Sequence, residues 1–266
     1  MSSKTRDAEP NVNDLFQAAH DEGVLSPSSL QVLTGADLGA QIQAGLGIAV
    51  DDVPSSEVVL LTIMPDDSGS IRGCGNEAAV RDGHNLVLDA LLASKQREEI
   101  LAHTRYLNGQ VLFPYRPIEH AVRMTSTNHE AHGTTPLYDQ TVVLLGSVIA
   151  KTQEFARNGV VARSVTLLIT DGADEHSVRS RAADVAALVR DMSRAETHIV
   201  AAMGIADGAT DFRAVFREMG IDDRWVLTPG NDDSAIRRAF QVFSQSAIRA
   251  SRAATFSRAA AGGFVS

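Results

Sequence analysis

The sequence predicts an α/β fold: a doubly wound, mostly parallel sheet with one antiparallel edge strand, preceded by a short helical N-terminal extension. Three observations carry this. From residue 57 onward, short apolar runs alternate with amphipathic helical stretches, the pattern of strand–helix–strand crossovers. The first run, Val58-Val59-Leu60-Leu61-Thr62-Ile63-Met64, is almost unbroken, as in a parallel strand covered on both faces. Asn108-Gly109 lies between two strand-like runs, a hairpin signal that turns one strand antiparallel.

The elements follow in order. Residues 1–13 read as a disordered lead. Leu15, Phe16 and Ala19 share a helical face, Ser26-Pro27-Ser28-Ser29-Leu30 reads as a helix start, and Leu38, Ile42 and Leu46 repeat at four-residue spacing. Pro54-Ser55-Ser56 divides this extension, 1–56, from the main domain, 57–252, and 253–266 is a tail. The first strand covers 57–65. A helix over 76–95 buries Val80, Gly83, Val87 and Leu91, and Gly83 lets it approach the sheet closely. Runs at 100–107 and 110–113 form the hairpin. A polar loop leads to Pro136, suited to the first turn of a helix that continues through Leu137, Thr141, Leu144, Val148 and Phe155. A strand over 164–170 precedes a helix burying Val178, Ala182, Val185, Val189 and Met192. Then come a strand at 198–205, a helix with Phe212, Val215, Phe216 and Met219, a short strand at 225–227, and a closing helix with Ile236, Phe240, Phe243 and Ala247 on one side.

Composition narrows the function classes. The 266 residues, 44% of them hydrophobic, are enough for a sizeable core. A net charge of −9 argues against broad nucleic-acid binding, which relies on Lys and Arg to displace counterions. Cys74 is the only cysteine, so no intrachain disulfide forms. The N-terminus is polar and lacks the apolar stretch of a secretory signal, and no window approaches a membrane span of about 20 apolar residues. A cytoplasmic protein is the expectation.

The chemistry concentrates in three strings. Asp66-Asp67-Ser68-Gly69-Ser70 follows the first strand, Gly133-Thr134-Thr135-Pro136-Leu137-Tyr138-Asp139 opens a helix, and Leu168-Ile169-Thr170-Asp171-Gly172 ends a strand. Ligands of open α/β sheets bind at the carboxyl ends of the strands. The three strings therefore converge on one rim. Asp66, Ser68, Ser70, Thr135 and Asp171 are the candidate metal-site residues, with Asp66 expected at an exposed strand end. Oxygen donors of this kind suit Mg²⁺, with Mn²⁺ as an alternative.

Together the strings resemble the metal-ion-dependent adhesion site (MIDAS), DxSxS…T…D, of von Willebrand factor A (VWA) domains. The resemblance covers about residues 57–252 and implies the same fold. It implies that Ser68, Ser70 and Thr135 ligate through hydroxyls, and that Asp66 and Asp171 hold metal-bound waters or ligate directly. Thr134 stays open as an alternative to Thr135. It further implies a non-enzymatic, intracellular, bacterial adaptor or assembly factor whose protein partner donates an Asp or Glu to the metal. The closing stretch Phe240-Gln241-Val242-Phe243-Ser244-Gln245-Ser246 is loosely similar to the closing helix of small bacterial VWA proteins, including those of tellurite-resistance-type gene clusters. A metal-dependent phosphoester hydrolase and a structural subunit with a vestigial site are the alternatives.

Other patterns fall away. Gly73-Cys74-Gly75 with Ala78 mimics a dinucleotide fingerprint, yet lies too far beyond the strand to place a phosphate at its end. The haloacid-dehalogenase-type pattern needs a second Asp where Ser68 stands. No Ser-His-Asp order stands out. His129, His132 and His176 read as polar loop residues, or as a rim that tunes partner binding with pH. From Ser234 onward the chain holds Arg237, Arg238, Arg249, Arg252 and Arg258 and no acid. That is an exposed basic helix face or a docking surface for an acidic partner.

Overall fold

The structure, a computed structural model, describes residues 11–35, 38–253, 256 and 262–264. Most of the expected lead and tail, Arg258 included, lies outside the described residues.

Six strands form one sheet: β1 Glu57–Met64, β2 Ile100–Arg105, β3 Val111–Pro117, β4 Val161–Thr170, β5 His198–Gly204 and β6 Val226–Leu227. Their order is β3-β2-β1-β4-β5-β6. All neighbours are parallel except β2 and β3, joined antiparallel through Asn108-Gly109, so the doubly wound expectation holds. β1 is buried along all but its first residue. Leu61 pairs with Ala102 on one side and Val165 on the other. The chain winds from β1 outward to β3, then crosses back to β4 and winds the other way. The order thus reverses between β1 and β4, the switch point at whose carboxyl ends such sheets bind ligands.

Nine helices are described: α1 Val12–Asp21, α2 Pro27–Leu33, α3 Leu38–Leu46, α4 Gly69–Gly73, α5 Glu77–Leu92, α6 Leu137–Arg157, α7 Ala182–Arg194, α8 Phe212–Glu218 and α9 Asp233–Arg252. α6 is buried on nearly every side because the sheet covers one face and α1, α2 and α3 cover the other. Leu15, Phe16, Leu33, Leu38 and Ile42 share the main core with β1 and β4. Polar contacts tie the extension down further. The Ser147 hydroxyl donates to the Ile42 carbonyl at 3.3 Å, and buried Lys151 donates to the Ile48 carbonyl and pairs with Glu154 at 2.8 Å. The Ile48 N–H donates to the Tyr115 carbonyl on β3, at 2.9 Å.

Four expectations shift. Asn11 caps α1 through its side chain, so residues 12–13 belong to a helix and Asn11 to its cap rather than to the lead. The expected helix over 76–95 is preceded by the separate short α4. Its turn ends in Gly75 at φ +77°, a left-handed conformation that glycine adopts without strain. Gly83 approaches α9, not the sheet. A Cβ there would lie 2.0 Å from the Phe240 ring. Val178 is not buried on α7. It precedes the helix and is 88% exposed.

Three core histidines give the fold a pH dependence. His84 donates or accepts with the Thr104 hydroxyl at 2.9 Å, His103 donates to the Phe113 carbonyl at 2.7 Å, and His198 meets the Ser164 hydroxyl at 2.7 Å. Burial disfavours the imidazolium and depresses them to about 4, about 3 and about 4. Their folded values lie below the unfolded value. Their contribution is complete above the unfolded pKa of about 6.5 and is lost as pH falls toward 4. NMR of the folded protein at pH 5 is expected to show all three rings neutral. Titration of these rings near 6.5 in the folded state would contradict the burial argument.

Candidate metal centre

β1 ends at Met64, and Pro65 leads directly to Asp66. The Asp66 side chain turns back under the loop. Its Oδ1 accepts the Ser68 N–H at 2.7 Å and its Oδ2 accepts the Asp171 N–H at 3.2 Å. One carboxylate thus joins the ends of β1 and β4. It is fully buried, which corrects the expectation of an exposed strand end. An Asp66→Ala change strands two backbone donors and is therefore not a clean test of metal binding.

Above Asp66 the hydroxyls line up. Ser68 Oγ lies 2.8 Å from Ser70 Oγ, and Ser70 Oγ donates to Asp171 Oδ1 at 2.6 Å. Ser68 is buried and Ser70 exposed, so the chain of oxygens opens to the surface. Strand alternation does not produce this, because Ser70 already belongs to the first turn of α4.

The Thr135 segment closes the third side. Gly133 bridges Ser68: its N–H donates to the Asp67 carbonyl at 2.9 Å and its carbonyl accepts the Gly69 N–H at 3.0 Å. The Thr135 carbonyl accepts the N–H groups of Glu175 and His176, at 3.1 and 3.3 Å, and its own N–H donates to His176 Nδ1 at 3.3 Å. Thr135 is buried between the two Asp-bearing loops, whereas Thr134 is exposed. The burial favours Thr135 as the inward-facing residue of the pair.

Sequence reasoning missed two residues here. Asp67 is buried and its Oδ1 accepts the Asn108 N–H at 2.9 Å, bracing the loop against the hairpin. Asp139 is buried at the start of α6 and gathers the N–H groups of Val178, Arg179 and Ser180, at 2.6–3.4 Å. In return the α6 donors Tyr138 N–H and Asp139 N–H go to Asp174 Oδ1 at 3.1 Å and Ser177 Oγ at 3.0 Å. Pro136 supplies no side-chain cap, so this loop caps the helix instead.

Two of the three histidines, His129 and His176, hold the backbone. His129 is buried and its Nε2 donates to the Asp66 carbonyl at 3.0 Å. His132 is exposed between Arg72 and Glu130.

The electrostatics are lopsided. Burial pushes the Asp66 carboxyl up, against hydrogen bonds from Ser68. Burial raises Asp67 to about 7, with the nearby Asp66 charge adding to it. Burial also raises Asp171 to about 6, again reinforced by Asp66. Among the described residues no Lys or Arg forms an ion pair with any of the three. Asp171 Oδ2 is buried without a hydrogen-bond partner. No cluster of three His, Cys, Asp or Glu side chains is found among the described residues, so a metal here would rely on hydroxyl donors as well. Buried carboxylates that no Lys or Arg pairs with, an orphaned oxygen and candidate hydroxyl donors fit a hard divalent cation.

No protein-family model and no curated protein matches the chain. Solved structures do. The pilus adhesin SpaC from Lactobacillus rhamnosus GG is 12% identical with a TM-score of 0.52, over 74% of this chain and 30% of that one. The chain therefore spans about a third of the adhesin's length. Weaker likenesses are the SpRpn10 VWA domain, at 10% identity and TM-score 0.47 over 68% and 93% of the two chains, and a von Willebrand factor type A structure from Catenulispora acidiphila, at 15% and 0.44 over 73% and 43%. At such identity the likeness to the adhesin is one of architecture alone: an open, mostly parallel α/β sheet flanked by helices.

Proposed function

We propose that the protein is a Mg²⁺-dependent protein-interaction module, an adaptor or assembly factor that captures an Asp or Glu side chain of a partner. The observation that carries this is the Ser68–Ser70–Asp171 chain of hydrogen bonds, fastened below by Asp66, at the carboxyl ends of β1 and β4. Ser68, Ser70 and Thr135 would hold the ion through neutral hydroxyls, and Asp66 and Asp171 would orient its waters or ligate directly. A divalent ion with so little anionic ligation supplies Lewis acidity toward one external carboxylate oxygen. Ser70, exposed at the mouth, leaves room for that oxygen to arrive. A bacterial, cytoplasmic setting is part of the same proposal.

The arrangement of proton-transfer groups supports a non-enzymatic role. General acid–base chemistry needs a positioned group within reach of the reacting atom. His129 is committed to the Asp66 carbonyl and His176 to the Thr135 N–H. Asp67 favours the second reading, a metal-dependent phosphoester hydrolase, because a carboxyl raised to about 7 is a common feature of catalytic sites. Its oxygen is engaged by the Asn108 N–H. A panel of phosphoesters, peptides and nucleotides with Mg²⁺ and Mn²⁺ decides between them. No turnover above background is expected. Activity that persists through purification and is lost in Asp67→Asn would replace the binding module with the hydrolase.

A further inference from the structure

α9 turns one face into the core, through Ile236, Phe240, Phe243, Ala247 and Ala250. Its opposite face carries Arg238, Gln241, Gln245, Arg249 and Arg252, all exposed, with Arg237 alongside. Spacings of three and four residues place them in one stripe, about 21 Å long at the helical rise.

This stripe has no acid of its own. Among the described residues, none of its arginines forms an ion pair. They rest on neutral oxygens: Arg238 on the Ser234 hydroxyl, Arg249 on the Ser246 hydroxyl at 2.7 Å and Arg252 on the Gln96 amide oxygen at 3.1 Å. Elsewhere in this acidic chain, arginines such as Arg123, Arg163 and Arg217 find carboxylates within 3.0 Å. The helix dipole explains Arg249 and Arg252, which lie in the last turn where cations are favoured. It does not explain Arg237 and Arg238, which lie in the second turn, beyond the reach of either helix end.

We propose that the exposed face of α9 is a docking surface for a short acidic protein segment. Guanidinium forks match carboxylates in bidentate pairs, and the two glutamines offer amide hydrogen bonds between them. The stripe has no large apolar side chain to insert into a lipid surface. The chain's net charge of −9 opposes a long nucleic acid, whereas a short segment needs only the local positive field.

The test uses the full chain in EDTA, so that the metal site takes no part and the outcome is independent of the metal reading. A labelled peptide of about fourteen residues, half of them glutamate, matches the stripe's length as a helix. Fluorescence anisotropy follows its binding at low and at high salt. Binding is expected at low salt, weakening with salt, and falling about fivefold in Arg238→Gln/Arg249→Gln, the sum of two exposed ion pairs. The thermal midpoint of that variant should match the parent. If it does not, Arg237→Gln/Arg252→Gln serves in its place. No binding, binding unchanged in the variant, or tighter binding of a single-stranded oligonucleotide of matched charge overturns the proposal.

Discussion

Replacing Ser70 and Thr135 together by alanine is expected to abolish Mn²⁺ binding while lowering the thermal midpoint by only a few degrees. Ser70 is exposed, and its hydroxyl bonds only Ser68 and Asp171. Its loss costs about 1 kcal/mol. Thr135 serves the fold through its backbone, by its N–H to His176 and its carbonyl from Glu175 and His176, and alanine keeps all of these. Metal binding has no such reserve. Loss of an outer-shell partner alone weakens a metal site about 10–100-fold, so removal of two direct donors exceeds about a hundredfold. Calorimetry with Mn²⁺ on parent and variant reads the difference. Equal affinity in a variant that still unfolds cooperatively would sink the assignment of these hydroxyls. An Asp66→Ala variant cannot decide the point, because its loss of stability and its loss of metal arrive together.

Asp139→Ala is expected to cost about 3 kcal/mol and to loosen the loop from 174 to 180. One buried carboxylate accepts three successive backbone N–H groups there. Each donor left unsatisfied costs about 1–3 kcal/mol, and partial exposure of the loop keeps the sum near the lower end. Asp139→Asn, which retains one acceptor oxygen, is expected to fall between. Urea unfolding gives the stability, and hydrogen exchange at Val178, Arg179 and Ser180 gives the local effect. Protection there that survives Asp139→Ala would show that other contacts hold the loop. The same loop supplies the N–H groups on Thr135, so Mn²⁺ affinity should fall as well, by less than in the double variant.

The contrast between these two variants separates what was legible in the sequence from what was not. Ser70, Thr135 and Asp171 could be singled out because each lies next to a strong local signal: an apolar strand, a Pro-Leu helix start, or a strand end followed by glycine. Asp139 stands in one of the same strings, yet its partners lie 39 to 41 residues further along, and nothing local marks a carboxylate that will gather distant amides. Asp67 is hidden in the same way, by a contact with the Asn108 hairpin 41 residues away. Val178 fits the helical spacing of the residues after it, but Asp139 holds its N–H before the helix begins. Gly83 was recognisable as a close approach. Its neighbour was not, because spacing shows that a helix face is buried and leaves open which element buries it.

Hydrophobic periodicity, an Asn-Gly turn and the order of polar strings therefore determined the fold class, the antiparallel edge and the rim that carries the candidate site. These signals are local, set by backbone geometry that repeats every two or 3.6 residues. The tertiary structure alone decided the burial of Asp66 beneath both strand ends, the capping of α6 by the loop after β4, and the seating of α1, α2 and α3 on α6. Those features satisfy buried amides, or cover apolar faces, with groups far away in the chain. Which donor meets which acceptor is fixed only when the sheet order brings them together.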